Sequence, residues 1–317
     1  MPGSFRRSCL LLALVLGAAG CSATAPLPPQ ASALNRAGAE ALAQGDLDTA
    51  EARLSVALEY NASFVEALTN LGLVEVQRGN FGRALELLER ARRINADIAQ
   101  PHHALGVLRE REGRADLASR HYQDALRVDP GFAPARANYA RMLFAAGMLE
   151  HARTQFLRLT EVAPQEPSGH AGLAECLLRL GRISEADRVV ARGLARHADS
   201  PSLRILEARR LMRQGELDSA VARLTPLTRA RDDASVAAFS WLAVAELAQG
   251  NTQAASRAAE SAARLNPNDA LAVYALATVL AEIGDPRAPT WTQRARALAP
   301  PQISPTRGLA QARTASP

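Results

Sequence analysis

Histidine and cysteine are among the residue types that can bind metal ions or act as a base or nucleophile. The six histidines are His102, His103, His121, His151, His170 and His197. Neighbouring residues on an α-helix point about 100° apart, so His102 and His103 cannot face one metal ion together. His102 and His170 share a position of the repeat described below, which favours packing. The other three fall on second helices, turned away from the first-helix surface, so we expect no metal site.

Covalent and cofactor chemistry finds no support in the remaining residues. Apart from Cys9 and Cys21 near the N-terminus, the chain has one cysteine, Cys176, and its apolar surroundings (LAECLLRL) predict a packed thiol. All 37 basic residues are arginine, which excludes a P-loop lysine and a Schiff-base lysine. No GxSxG, HExxH, paired CxxC or GxGxxG motif occurs. We therefore expect no enzyme activity, no cofactor and no small-molecule substrate.

The distribution of charge argues against nucleic acid as a partner. The formal net charge is only +5 at pH 7. Arginine alternates with acidic residues along the chain, as in residues 109–120, and a nucleic-acid footprint needs a one-sided basic stripe. The charges therefore predict solvated helix faces and no nucleic-acid binding.

The N-terminus has the features of a secretory leader. Arg6 and Arg7 precede an apolar run at residues 10–16, which is too short to span a bilayer, and small residues follow. Residues 18–21, Ala-Ala-Gly-Cys, resemble the lipobox of bacterial lipoproteins. The resemblance implies a signal peptide at 1–20, lipidation of Cys21 and, with Ser22 behind it, an outer-membrane anchor facing the periplasm. The alternative is a soluble periplasmic protein. Residues 21–30 predict the lipidated cysteine and a Pro-rich linker.

Repeats of 34 residues must position any functional surface. They begin at residues 31, 65, 99, 133, 167 and 201 and, after a one-residue insertion, at 236 and 270. Position 15 is glycine in every repeat, namely Gly45, Gly79, Gly113, Gly147, Gly181, Gly215, Gly250 and Gly284. Such a fixed period indicates stacked structural units.

The residue types within one repeat predict two helices packed closely together. Position 8 is always glycine or alanine, and position 20 is alanine almost throughout. Helix axes about 8–10 Å apart leave room only for small side chains at the contact. Larger residues at positions 7 and 24, such as Leu71 with Leu88, fill the space beside it. The glycine at position 15 suits the left-handed residue that ends a helix.

This pattern resembles the tetratricopeptide repeat (TPR) family over residues 31–300. The resemblance implies an all-α, right-handed solenoid of about eight helix-turn-helix repeats that binds proteins and is no enzyme. The last repeat carries Pro286 and Pro289 near its second helix and is interpreted as a terminal cap. Residues 301–317 are polar and Pro-containing, which predicts a disordered tail.

In TPR proteins, first-helix positions that include 9 and 12 line the inner face of the solenoid. Here the central members of that set are Leu73, Val76, Val107, Glu110, Arg141, Phe144, Glu175, Leu178, Arg209, Met212, Val244 and Leu247. They predict an apolar groove with charges near its middle, suited to an amphipathic helix or an extended peptide. The alternative is that position 12 is buried between repeats and is only structural.

A lipobox, a short linker and a run of TPRs together resemble the pilotin-type TPR lipoproteins of type IV pili and related secretins. The resemblance implies an outer-membrane scaffold whose groove holds envelope proteins and assists assembly or stability of such a machine. The same layout also fits an adaptor for exopolysaccharide export or for peptidoglycan enzymes.

Overall fold

The computed structural model describes residues 27–230, 232–298, 309–310 and 314. Within these residues the chain forms sixteen α-helices and no β-strand, which confirms the all-α solenoid. The helices are α1 Pro29–Gln44, α2 Leu47–Tyr60, α3 Val65–Arg78, α4 Phe81–Ile94, α5 Ala99–Arg111, α6 Ala115–Val128, α7 Ala133–Ala145, α8 Leu149–Val162, α9 Pro167–Arg179, α10 Ile183–Arg196, α11 Pro201–Arg213, α12 Leu217–Leu224, α13 Asp233–Ala248, α14 Thr252–Leu265, α15 Ala270–Glu282 and α16 Ala288–Ala297.

Several features predicted at the chain ends lie outside the described residues. These are the signal peptide at 1–20, Cys21, most of the linker at 21–30 and most of the tail at 301–317. The described residues include no helix with the length and apolar character needed to cross a bilayer. α1 already begins at Pro29, inside the predicted linker, because proline is well tolerated in the first turn of a helix.

Each pair of helices is joined by a turn at the position-15 glycine. All eight of these glycines have φ between 70° and 83°, so the prediction of a left-handed residue is confirmed. In the second repeat, the Gly79 amide donates to the Val76 carbonyl at 3.2 Å and the Asn80 amide donates to the Glu75 carbonyl at 2.9 Å. These bonds satisfy carbonyls that the helix end leaves open. Each repeat is thereby closed into a helical hairpin.

The starts of the first helices follow the 34-residue register except in the first and seventh repeats. α3, α5, α7, α9, α11 and α15 begin at the first residue of their repeats. α13 begins earlier, at Asp233, because the Asp232 carboxylate accepts the Ser235 amide in a capping box. Pro226 follows the end of α12, where the chain tightens into a 3₁₀ turn at Thr225–Arg229.

Small residues at the helix contact are required by the distance between the two helices. A Cβ atom added to Gly72 would lie 2.5 Å from the side chain of Leu88, and one added to Gly106 would lie 2.5 Å from the ring of Tyr122. Both distances are shorter than any van der Waals contact. Position 8 therefore meets position 24 across the hairpin, and Ala152, at position 20, has no exposed surface.

The burial of Leu309 was not expected from the prediction of a polar, disordered tail. It has helical backbone and is 2% exposed, within a hydrophobic cluster that also contains Trp241 and Leu280 of the last repeats. Burial of an apolar side chain is favourable, and a single leucine can hold part of an otherwise polar segment against the core.

Candidate protein-binding face

The first helices of successive repeats lie side by side along one face of the stack. α3 contacts α5, α9 contacts α11, and α13 contacts α15. Because first helices reach across to one another in this way, they line the shorter side of the curved stack. We call the twelve position-9 and position-12 side chains named above the inner face.

Position 12 of the inner face is mostly buried between repeats. Val76, Phe144, Met212 and Leu247 are all buried, and Phe144 belongs to one hydrophobic cluster with Leu173 of the following repeat. These residues therefore have a structural role rather than lining an open groove, because the first helix of the following repeat covers their side chains. The apolar groove is therefore shallower than the sequence predicts.

Three apolar side chains of the inner face keep partial access to solvent. Leu73 and Val107, at position 9, and Leu178, at position 12, are half-buried, whereas Val244 is fully buried. Leu73 and Val107 lie in neighbouring repeats. The accessible apolar surface is therefore concentrated in the second and third repeats, with Leu178 further along the stack.

A hydrogen-bonded network of polar side chains occupies the middle of the inner face. The Arg141 guanidinium donates to Glu110 at 3.0 Å, and the Tyr122 hydroxyl donates to the same carboxylate at 2.8 Å. Arg141 is 61% exposed and Glu110 is 38% exposed, so both offer their charge to a partner. Tyr122 is buried, and its hydroxyl fixes the orientation of Glu110.

The same network extends to an amide and a histidine that the predicted groove did not include. The Asn138 Nδ2 atom lies 3.0 Å from His103 Nε2, and Asn70 donates to Asn35 at 2.9 Å in the equivalent place two repeats earlier. Burial lowers the pKa of His103 to about 4, so its ring is uncharged at neutral pH. The spacing of 35 residues, from position 5 to position 6 of the next repeat, was the sequence signal for these contacts.

A second charged group lies in the fifth and sixth repeats. Arg209 is buried, forms an ion pair with Glu175 and stacks on the ring of Trp241, with its guanidinium carbon 4.9 Å from the ring centroid. Glu175 is 27% exposed. Arg209 therefore belongs to the core of the stack, and the Glu175 carboxylate that balances its charge is only partly exposed.

Cys176 lies beside Glu175 but points into the core. The thiol is buried, and burial raises its pKa to about 12. A thiol is nucleophilic only as the thiolate, so this side chain is unreactive at neutral pH. The prediction of a packed thiol is confirmed.

The inner face thus combines accessible charges of both signs with half-buried apolar side chains. Glu110 and Arg141 stand at its centre, Glu175 follows one repeat later, and Leu73 and Val107 flank them. An elongated surface of this kind can bind a helix or an extended segment through apolar contacts and charged hydrogen bonds. This is the surface of a protein-interaction scaffold.

Family models for the tetratricopeptide repeat match most of the chain. The matched segments are residues 35–97, 111–171, 167–192, 205–255 and 242–302. The chain belongs to the tetratricopeptide repeat family. The resemblance deduced from the repeat register is therefore confirmed.

Two curated bacterial relatives share sequence similarity with the chain. It is 29% identical over 204 residues to Protein FlbA of Caulobacter vibrioides, covering 63% of this chain and 33% of FlbA. It is 27% identical over 153 residues to Type IV pilus assembly protein PilF of Pseudomonas aeruginosa, covering 48% of this chain and 61% of PilF. The chain thus spans about a third of one relative and about three fifths of the other.

Solved structures share the fold at low sequence identity. A tetratricopeptide repeat protein from Parabacteroides merdae superposes with a TM-score of 0.56 at 18% identity, covering 80% of this chain and 100% of that one. The crystal structure of the APC/C hetero-tetramer Cut9-Hcn1 gives a TM-score of 0.64 at 17% identity. The match covers 84% of this chain and 52% of the matched chain in that structure. Both structures share the fold of this chain.

Proposed function

We propose that this protein is a lipid-anchored periplasmic scaffold at the outer membrane that binds protein partners and assists assembly or stability of an envelope machine such as a type IV pilus or secretin. The observation that carries the proposal is the similarity to the pilus assembly protein PilF over 48% of the chain. The lipobox-like residues 18–21 support the anchor.

The inner face supports a protein ligand of mixed charge. A partner helix or strand laid along it would meet Glu110 and Arg141 together, and the partly exposed side chain of Glu175 further on. Charges arranged in this order select partners by complementarity, and the flanking Leu73 and Val107 add apolar contact. The expected partner is therefore a pilus or secretin subunit with an amphipathic segment.

Reversal of the charge at Arg141 tests this surface. Arg141 is mostly exposed, so Arg141→Glu leaves the core intact but sets a second carboxylate beside Glu110. We expect recovery of a pilus or secretin subunit from cross-linked native envelope to fall by about tenfold, because unmatched charge at an interface is strongly unfavourable. Quantitative mass spectrometry of the captured proteins measures the change.

Leu157→Glu is the matched control, because Leu157 is 40% exposed on a second helix, away from the inner face. It should retain the partner at the wild-type yield, and both variants should unfold within a few degrees of the wild-type temperature. Equal recovery with all three proteins would show that the inner face does not bind the partner. Capture of export or peptidoglycan proteins in place of pilus subunits would overturn the proposed machine.

Removal of the lipidation site is expected to release all of the protein from the membrane. Cys21→Ala abolishes the acceptor thiol, and several acyl chains on one cysteine are what would hold the protein firmly. The variant should move entirely from the outer-membrane fraction to the soluble periplasm, which fractionation and immunoblotting measure. A Cys176→Ala control should stay in the membrane fraction. Unchanged fractionation of Cys21→Ala would refute the anchor.

A further inference from the structure

His102, His121 and Asp124 form a compact cluster between the two helices of the third repeat. One potential ligand atom from each residue lies within 4.8 Å of those of the other two. His121 and Asp124 are spaced i, i+3 on α6, which puts them on one face of that helix. His102 lies opposite, on α5. The expectation that His121 points away from the first helix is therefore wrong.

The repeat geometry explains why these side chains meet. His102 and His121 occupy positions 4 and 23. In the fourth repeat those positions hold Arg136 and Gln155, and the guanidinium of Arg136 donates to the Gln155 side chain at 2.6 Å. The hairpin thus brings positions 4 and 23 into direct contact. Asp124 joins them because position 26 lies one helical turn beyond position 23.

In each histidine of the cluster, one buried ring nitrogen has no hydrogen-bond partner among the described residues. His102 is 9% exposed, and its Nε2 atom lies 3.1 Å from the Ala96 carbonyl oxygen. A carbonyl only accepts, so Nε2 donates a hydrogen to it, and in the neutral ring Nδ1 is the nitrogen with the free lone pair. The Nδ1 atoms of His102 and His121 are both buried and have no hydrogen-bond partner in the part of the chain that the structure describes. Such atoms are unfavourable in a core unless something satisfies them.

We propose that the third repeat binds a divalent transition-metal ion of the Zn²⁺ class between α5 and α6, through His102, His121 and Asp124. Two imidazoles and a carboxylate are a typical ligand set for Zn²⁺ and its neighbours, and water completes the coordination. The Ala96 carbonyl would act as the outer partner that holds the His102 ring in its ligating tautomer. The ion would clamp the two helices of this repeat.

The charges around the cluster permit a cation. Asp124 forms an ion pair with Arg127, whose side chain is 75% exposed and can turn away into solvent without disturbing the core. Arg109 also lies near His121, and its charge is matched by Glu112 at 2.8 Å. Glu89 also lies near His121, and its charge is matched by Arg92 at 2.7 Å.

The fifth repeat supplies a matched control within the same chain. His170 occupies position 4, as His102 does, and it is likewise buried with an Nδ1 atom that has no partner among the described residues. Positions 23 and 26 of that repeat are Val189 and Arg192, which cannot ligate a cation. His170 therefore has the burial of His102 without the ligand set.

Metal titration of the full chain tests the proposal. The protein is purified in detergent without an affinity tag, stripped with a chelator, and titrated with Zn²⁺ against a competing chromophoric chelator. We expect one high-affinity ion per chain and an increase in unfolding temperature. His102→Ala, His121→Ala and Asp124→Asn should each weaken binding by at least about tenfold, and His170→Ala should not.

Co²⁺ gives a second, independent readout, because visible absorption reports its nitrogen and oxygen ligands. The bands should appear with the wild type and with His170→Ala, and they should be absent with His121→Ala. Asp124→Asn keeps the proposal testable if a histidine variant fails to fold. Failure of the wild type to bind Zn²⁺, or unchanged affinity in folded Asp124→Asn and His121→Ala proteins, would overturn the site.

Discussion

Replacement of Arg209 by glutamine is expected to lower the free energy of unfolding by about 3 kcal/mol. Arg209 is only 7% exposed, and its charge is balanced by Glu175 and stacked on Trp241. Loss of one partner leaves the other charge poorly compensated, and one oxygen of Glu175 is already buried without a hydrogen bond in the described structure. Urea unfolding followed by circular dichroism measures the change.

Arg141→Gln is the control for that prediction, because it makes the same substitution at the same repeat position. Arg141 also forms an ion pair across two repeats, but it is 61% exposed and its partner Glu110 is 38% exposed. Exposed ion pairs contribute about 0–1 kcal/mol to stability, so Arg141→Gln should lower the free energy of unfolding by no more than that. Equal losses for both variants would mean that burial does not distinguish the two ion pairs.

Truncation of Tyr122 to alanine is expected to lower the free energy of unfolding by about 3–5 kcal/mol, the range for large aromatic side chains removed from a core. The ring has no exposed surface and fills the space left by Gly106 across the third hairpin. Its hydroxyl also holds Glu110. The variant should therefore unfold at markedly lower urea concentration and lose the orientation of Glu110 on the inner face.

Tyr122→Phe separates these two contributions. It keeps the ring against Gly106 and removes only the hydrogen bond to the Glu110 carboxylate, and hydrogen bonds to charged groups contribute about 1.5–3 kcal/mol. If Tyr122→Ala lowers the free energy of unfolding no more than Tyr122→Phe does, packing of the ring between the two helices does not stabilise the fold. Partner binding measured with Tyr122→Phe tests whether the orientation of Glu110 matters at the inner face.

The sequence by itself determined the architecture of the protein, because a repeat is specified by local requirements. A glycine at position 15 is needed wherever the turn requires a positive φ, and a small residue at position 8 is needed wherever two helices touch. These requirements recur every 34 residues, so the starts of six of the eight first helices coincide with the register. The register did not predict the early start of α13, because the Asp232 side chain caps that helix locally.

Only the tertiary structure decided which side chains of the inner face reach solvent and which groups meet across a hairpin. The sequence assigns Val107, Arg141 and Arg209 alike to position 9, yet they are half-buried, exposed and buried respectively. Exposure depends on the neighbouring repeat, whose side chains differ even where its backbone does not. The cluster of His102, His121 and Asp124 depends in the same way on contact between residues on two helices, which a repeat register alone does not measure.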